Sequence, residues 1–147
     1  MNRQLIFDET VKHARHQGCK ATRIIDGEEG CAYRGANNIT RCFIGAHITD
    51  DTYNPRMEGL TTGALLKAFP LIRNYFGITS QEGEVIIRHN NMHLLSRLQQ
   101  IHDGYAVVDW EEQFKRTAEE FGLIYTPPLP KETESAQADD VELAPVV

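Results

Sequence analysis

The chain has 147 residues, of which 41% are hydrophobic and 24% are charged, and this balance is typical of one globular domain. Its formal net charge of −6 argues against nucleic-acid binding, because holding a phosphate backbone requires a basic surface. No apolar run approaches the roughly 20 residues that a membrane-spanning helix needs. The N-terminal residues lack the apolar core of a signal peptide, and three cysteines form no disulfide framework, so we expect a cytoplasmic location.

The acidic charge is concentrated near the C-terminus. After Pro127 there are five acidic residues and one lysine, so this segment holds −4 of the net charge and leaves about −2 for the rest. Few large apolar side chains interrupt it, which is the composition of a segment that does not fold alone. We therefore predict a globular domain over residues 1–125 and a flexible, acidic, proline-containing tail over residues 126–147.

In chain order, helical spacing of apolar residues predicts a first helix from about residue 3 to residue 16, which Gly18 ends. Residues 24–30 are predicted as a short apolar pair followed by a turn-rich stretch. The first helix is amphipathic, so we expect its apolar side to pack against the rest of the domain.

A β-hairpin is predicted next, because two cysteine-bearing segments flank a polar turn. If Cys31 pairs with Cys42, the turn falls on residues 36–37. The alternative register sets Arg34 directly opposite Arg41, and like charges in that position are unfavourable. We therefore predict that the two cysteines face each other and that both arginines lie on the opposite face.

Further along the chain, Thr61 or Thr62 is predicted to cap a short helix that Pro70 breaks or bends. Residues 71–76 are predicted to continue helically, and residues 80–87 to contain a loop or helix start followed by a short strand or helix. These are weaker patterns than the one that follows.

Apolar side chains at helical spacing predict a helix over residues 90–102. Asp109, with Glu112 three residues later, predicts a capped final helix that ends at Gly122. Two strands alone are marginally stable, so the hairpin must pack on these helices or gain another strand. The predicted fold class is α+β: a helix-rich single domain with a small antiparallel hairpin or sheet packed on the helices.

Several motifs lie in a fixed order along the chain: a Cys-x-Tyr-Arg hairpin, a Cys-x-Ile-Gly strand, an acid-rich tyrosine loop ending in Met-Glu-Gly, a Leu-Gln-x-Ile-His-Asp helix end and a Trp-led final helix. They occupy residues 31–35, 42–45, 50–59, 98–103 and Trp110. This pattern resembles a family of small proteins of tailed phages and prophages, most of them functionally uncharacterised. The resemblance spans roughly residues 5 to 123, with His47 at a position where the family has a small or apolar residue. It implies a phage origin and a place in the cytoplasm of the infected host, and it implies no activity.

The cysteines are the first candidates for chemistry. Cys31 and Cys42 could form a strained, easily reduced redox pair, although free cysteines commonly serve as small buried hydrophobes. Either thiol could also act as a nucleophile with His102 and Asp103, since such groups need only converge in space. A histidine at a helix end is equally explained by the helix dipole, and we favour that structural role.

A zinc site is the second candidate. The nearest set of ligands is Cys19, Cys31, Cys42 and His47. None of their spacings matches a usual zinc-ligand pair, so the sequence gives this site weak support.

Binding is the third possibility. Arg34 and Arg41 could hold a carboxylate or a phosphate through paired hydrogen bonds. They could equally pair with acids of the chain such as Asp50, Asp51 or Glu58. The loop side chains of Tyr53, Asn54, Arg56 and Glu58 are of the kind that contact other proteins.

We therefore expect a phage accessory protein that binds a host protein, perturbing a host or anti-phage defence factor, with no cofactor and without catalysis. The alternative is a small enzyme or a nucleotide- or phosphate-binding module that uses the two arginines with Cys31, Cys42 or His102. A third hypothesis is a redox or metal switch at the two hairpin cysteines.

Overall fold

The computed structural model describes residues 1–78 and 90–130. These residues form a mainly helical fold with one two-stranded antiparallel sheet, which confirms the predicted α+β class. The elements are α1 (Arg3–Gln17), β1 (Thr22–Ile25), β2 (Glu28–Cys31), α2 (Thr62–Ala68), α3 (Pro70–Tyr75), α4 (Asn90–Gly104) and α5 (Trp110–Phe121), with 3-10 turns at Gly45–His47, Pro55–Met57 and Val107–Asp109. Across the described ranges, no helix combines the length and the apolarity that spanning a membrane requires. The segments predicted over residues 80–87 lie outside the described residues.

The helix boundaries follow local sequence signals with one exception. Gly18 and Gly122 end α1 and α5 with φ values of 67° and 69°, a conformation that glycine adopts without a steric penalty. Thr61 caps α2, because its side chain accepts a hydrogen bond from the main-chain N–H of Ala64. Pro70 is the first residue of α3, which follows α2 after one residue. The predicted cap at Asp109 is wrong: this residue ends a 3-10 turn in a helical conformation, and its side chain makes no capping hydrogen bond.

The β-hairpin consists of β1 and β2 and precedes the position predicted for it. Asp26 and Gly27 form its turn with φ values of 52° and 84°, the pair of positive angles found in a type I′ turn. Thr22 therefore lies opposite Cys31, and the predicted pairing of Cys31 with Cys42 is wrong. An Asp-Gly pair is a stronger two-residue turn signal than the residues placed at the predicted tip.

The segment after β2 folds back on itself in the register that the sequence argument rejects. Arg34 lies directly opposite Arg41 in an isolated antiparallel bridge. The like charges are compensated by Asp50, whose Oδ1 lies 2.9 Å from Nη2 of Arg34 and 3.0 Å from Nη2 of Arg41. Asn38 in the intervening turn has a φ of 61°, which asparagine tolerates better than most residues.

The core is centred on Phe43. Its ring centroid lies 4.8 Å from that of Trp110, 5.6 Å from that of Phe114 and 5.2 Å from that of His102. Phe7 of α1 packs edge-on against Phe114 at 6.4 Å, so α1, α4 and α5 share one aromatic cluster. Aromatic pairs at these distances add favourable electrostatic contacts to the burial of apolar area.

The chain that follows Cys42 passes close to the main chain of Tyr33. A Cβ atom on Gly45 would lie 1.9 Å from the carbonyl oxygen of Tyr33, so only glycine fits there. The N–H of Gly45 lies 3.2 Å from Sγ of Cys42. The spacing of these two residues in the Cys-x-Ile-Gly motif therefore has a steric reason.

Residues 123–126 return along α1. The main chain of Ile124 exchanges two hydrogen bonds with the side chain of Gln4, at 2.9 and 3.0 Å. Arg15 donates to the carbonyl oxygen of Thr126 at 2.7 Å. The packed part of the chain therefore extends to Thr126, and most of the predicted tail lies outside the described residues.

Candidate functional site

The side chains of Cys31, His102 and Asp103 meet where β2 ends and α4 reaches its last turn. One potential ligand atom from each residue lies within 4.8 Å of those of the other two. We refer to these three residues as the Cys-His-Asp cluster. The catalytic set predicted from the sequence offered Cys31 or Cys42 as the thiol, and the structure groups Cys31 with His102 and Asp103.

Both ring nitrogens of His102 are engaged. The main-chain N–H of Ala21 donates to Nε2 at 3.1 Å, so Nε2 carries the lone pair. Nδ1 therefore carries the proton, and it donates to Oδ1 of Asp103 at 2.7 Å. The ring is fully buried, with Phe43 and Trp110 at centroid distances of 5.2 and 5.9 Å. The unprotonated nitrogen, Nε2, is occupied by the N–H of Ala21, so His102 has no free lone pair with which to take a proton from a nucleophile.

The thiol of Cys31 is partly buried and stays protonated. Burial and the neighbouring carboxylate of Asp103 raise the pKa of Cys31 to about 11, whereas nucleophilic attack needs the thiolate. The thiol lines a cavity of about 380 Å³ whose walls include Ser96, Gln99 and Gln100. Cys31 supplies the only thiol among the described residues that line this cavity, and that thiol is held in its unreactive, protonated form.

A divalent metal would accept a cysteine, a histidine and an aspartate as ligands. Binding at this cluster would require a lone pair on Nδ1 of His102, and that nitrogen carries the proton. Moving the proton to Nε2 would set it against the N–H of Ala21, which is also a donor. The hydrogen bonding therefore does not fit a metal at this cluster.

The four predicted zinc ligands do not converge. Cys19 is exposed and Cys42 is buried, while Nε2 of His47 is bonded to Oγ1 of Thr10 at 2.9 Å. The donor cluster found within the described residues contains Cys31 and none of the other three. These four side chains therefore do not form one set of ligands.

Cys42 is a core residue. It is fully buried, and that burial raises the pKa of its thiol to about 12. Its main-chain N–H faces the carbonyl oxygen of Tyr33 at 3.4 Å, not Cys31, and the three cysteines are free. The register that would set two thiols side by side as a redox pair is absent.

Glu58 fastens the acid-rich loop to the chain that follows β2. Its carboxylate accepts the main-chain N–H groups of Tyr33 and Arg34 at 2.9 and 3.1 Å, and the hydroxyl of Tyr53 at 2.7 Å. The guanidinium of Arg34 lies 4.1 Å from the centroid of the Tyr53 ring, within the range of a cation–π contact. Nε of Arg23 lies 3.9 Å from the same carboxylate. We call these contacts the Glu58 latch.

Five of the six residues predicted for binding therefore have side-chain partners inside the chain. Arg34, Tyr53 and Glu58 belong to the Glu58 latch, and Arg41 is paired with Asp50. The side chain of Asn54 accepts the main-chain N–H of Arg56 at 2.9 Å, and the side chain of Arg56, the sixth residue, is exposed. The pairing of arginines with acids of the same chain, the alternative left open by the sequence, is the arrangement observed.

Sequence reasoning missed two features of this region. The Asp26-Gly27 turn carried a usable signal, because an Asp-Gly pair favours the two-residue turn of a β-hairpin. The bond between Ala21 and His102 carried none, because any residue except proline offers a main-chain N–H.

Comparison of the chain with protein-family models, with curated proteins and with solved structures found no match. The resemblance to phage proteins therefore stays a prediction from the motifs. The geometry of the described residues has to support any functional proposal.

Proposed function

We propose that this chain is a phage-encoded accessory protein that binds a host protein and carries out no catalysis. The sequence motifs support the phage origin. The geometry supports a non-catalytic role, because His102 has both nitrogens engaged and the thiols of Cys31 and Cys42 have pKa values raised to about 11 and about 12, chiefly by burial. Cys31, Cys42 and His102, the catalytic candidates from the sequence, are therefore protonated or engaged within the fold.

The observation that carries the proposal is the exposed end of the β1–β2 hairpin. Ile24 is 68% exposed, and the adjacent Ile25 is also exposed. Two large aliphatic side chains beside a turn leave apolar area in water, which another protein can cover. Fully burying an exposed leucine-sized side chain contributes about 1.5–3 kcal/mol. Ile24 offers most of that area, and Ile25, which is 36% exposed, offers a smaller part.

The main chain at Ile24 adds an open strand edge. Ile25 and Glu28 flank a two-residue turn and form the hydrogen-bonded pair, so Ile24 and Glu29 form the next, non-hydrogen-bonded pair. The N–H and C=O of Ile24 therefore point away from β2, and they have no hydrogen-bond partner among the residues described. Such an edge can pair with an extended segment of another chain.

The charges around the edge indicate the chemistry of the partner. Asp26, Glu28 and Glu29 surround the two isoleucines and are exposed, and the chain carries a net charge of −6. A complementary segment would be extended and basic, with apolar side chains opposite Ile24 and Ile25. Opposite charges at the rim speed association and select against acidic competitors.

The first experiment identifies and measures the partner. The tagged chain and a truncated form without residues 127–147 are used to capture proteins from a lysate of the host bacterium. A protein recovered by the tagged chain is then purified, and its affinity is measured by isothermal titration calorimetry. We expect saturable binding that the change Ile24→Asp weakens at least tenfold, because it places a charge in the apolar contact.

The matched control is Val108→Asp, which introduces the same charge at a residue that is 87% exposed on the turn before α5. We expect this variant to bind as the unchanged chain does. Recovery of no specific partner would contradict the proposal. Equal loss of affinity in both variants would contradict the assignment of the contact to the hairpin.

The small-enzyme alternative has less support from the geometry. It combines the arginines of the predicted hairpin with Cys31, Cys42 or His102 in one site, and Cys42 and His102 are fully buried. Arg41 instead lines a cavity of about 520 Å³ on the side of α1, and Cys31 lines the separate cavity of about 380 Å³. The two sets of side chains therefore do not share one pocket.

A further inference from the structure

The cavity of about 520 Å³ lies between α1 and the segment that begins at Arg41. Its lining includes the basic or imidazole side chains of Lys12, His13 and His16 together with Arg41, and one carboxylate, that of Glu9. We call this cavity the α1 groove. Its volume is in the range of pockets that hold small organic ligands.

Arg41 is fixed in position on the groove. Its main-chain N–H donates to Oε1 of Gln17 at 2.8 Å, and its carbonyl oxygen accepts from Gln17 and from His13, each at 2.9 Å. The guanidinium donates to the carbonyl oxygen of Ile48 at 3.2 Å and to Asp50 at 3.0 Å. A guanidinium has five N–H donors, so three remain for a ligand once these two are used.

Lys12 and His16 add donors from the helix. They are four residues apart, so they project from the same side of α1, and both are exposed. They lie across the groove from Arg41, which belongs to a different segment. The charge of Arg41 is shared with Asp50, and Asp50 is also paired with Arg34, so the two arginines keep an excess of one positive charge.

His13 completes the polar wall. Its Nε2–H donates a hydrogen bond to the carbonyl oxygen of Arg41, which leaves the lone pair of the neutral ring on Nδ1. Burial lowers the pKa of this ring, so the lone pair persists at neutral pH. A phosphate group that keeps one proton can donate a hydrogen bond from its O–H to Nδ1 of His13.

The opposite part of the groove is apolar. Leu5 and Tyr75 line it, and both have exposed side chains. The ring of Tyr75 lies 6.1 Å from that of His47 and 5.2 Å from that of Phe76, so its position is fixed by packing. An exposed aromatic ring of this kind offers a surface on which a flat organic group can stack.

We propose that the α1 groove binds a phosphate monoester of a small organic molecule, with the phosphate between Arg41, Lys12 and His16 and the organic part against Leu5 and Tyr75. A guanidinium favours a phosphate because its planar donors match the phosphate oxygens. This site uses none of the residues of the β1–β2 hairpin, so it is independent of the proposed host-protein contact.

The test uses adenosine monophosphate as the probe, with inorganic phosphate and adenosine as comparison arms at constant ionic strength and neutral pH. Nuclear magnetic resonance follows the imidazole protons of His13 and His16 during each titration. We expect saturable shifts of both rings with adenosine monophosphate, weaker binding of inorganic phosphate and none of adenosine. Shifts that do not saturate, or equal affinity for the nucleotide and for inorganic phosphate, would overturn the proposal.

Two charge-matched variants separate a site from general attraction. Lys12→Ala removes a cation from the groove, and Lys115→Ala removes one from an exposed position on α5. We expect the first change to weaken binding about tenfold, which corresponds to about 1.4 kcal/mol, and the second to leave the affinity unchanged. Equal weakening by both changes would show non-specific attraction and would also overturn the proposal.

Discussion

The main-chain N–H of Ala21 donates a hydrogen bond to Nε2 of His102 across 3.1 Å, and neither residue is exposed to solvent. The bond joins the residue immediately before β1 to the last turn of α4, 81 positions apart in the chain. It also determines which ring nitrogen carries the proton, and Asp103 accepts that proton's hydrogen bond. A histidine that the sequence presents as a candidate base therefore connects two elements of the fold.

Replacing His102 should destabilise the protein. We expect His102→Ala to lower the free energy of unfolding by about 2–4 kcal/mol, because it leaves a cavity and an unsatisfied buried N–H at Ala21. Urea unfolding followed by circular dichroism measures the change. Gln100→Ala, at an exposed position of the same helix, is the control and should change stability by less than about 0.5 kcal/mol. An unchanged unfolding midpoint for His102→Ala would contradict the structural role.

The Glu58 latch should contribute more stability than the exposed pairing at Asp50. We expect Glu58→Gln to cost about 1–3 kcal/mol, because an amide offers one acceptor oxygen where the carboxylate serves two main-chain N–H groups and a hydroxyl. The side chain of Asp50 is 78% exposed, so Asp50→Asn should cost at most about 1 kcal/mol. Urea unfolding at low and at high salt distinguishes the two variants. The stability lost in Asp50→Asn should become smaller as the salt concentration rises, and the stability lost in Glu58→Gln should not. A larger cost for Asp50→Asn would contradict this ranking.

The sequence predicts the fold class and the main helices because those depend on local signals. Gly18, Thr61, Pro70 and Gly122 each act within one turn of the chain, and the structure places them at helix boundaries. Asp109 fails as a cap because the preceding residues form a 3-10 turn, which alters the backbone conformation that capping needs.

The long-range arrangements are where sequence reasoning fails. The repulsion between Arg34 and Arg41 is a sound argument for an isolated pair of strands. In the structure Asp50 pairs with both arginines and compensates their repulsion. Asp50 is a loop residue, and no periodicity of the sequence reveals its position. The helix-dipole explanation for His102 does not include the hydrogen bond from its buried partner Ala21, which lies far away in the sequence.

Alkaline conditions should weaken the fold through Cys42. Its pKa is raised by burial from 9.0 to about 12, so above pH 9 the thiol of the unfolded chain ionises while that of the folded chain stays protonated. The unfolded state then binds fewer protons, and stability falls as the pH rises. One pH unit above 9 the loss is about 1.4 kcal/mol. Urea unfolding at about pH 8 and about pH 10 measures it, and Cys42→Ala should show a smaller loss. Identical pH dependence in the two proteins would contradict this assignment.

Acidic conditions should weaken the fold through His47. Burial lowers the pKa of this ring from 6.5 to about 4, so below pH 6.5 the unfolded chain gains a proton that the folded chain does not. Stability is therefore fully present above pH 6.5 and is lost as the pH falls toward 4, with a loss of roughly 2 kcal/mol near pH 5. Urea unfolding across this range measures it, with His47→Gln as the comparison. A variant that loses as much stability as the unchanged chain would show that other groups cause the effect.

The protonation state of His102 tests most directly whether the Cys-His-Asp cluster holds the fold or performs chemistry. Nuclear magnetic resonance of the two ring nitrogens at neutral pH reports which of them carries the proton. We predict a neutral ring with the proton on Nδ1 and the lone pair on Nε2, as the bonds to Asp103 and Ala21 require. A proton on Nε2, or protons on both nitrogens beside an ionised Cys31, would contradict the structural role and would favour a catalytic or metal-binding site.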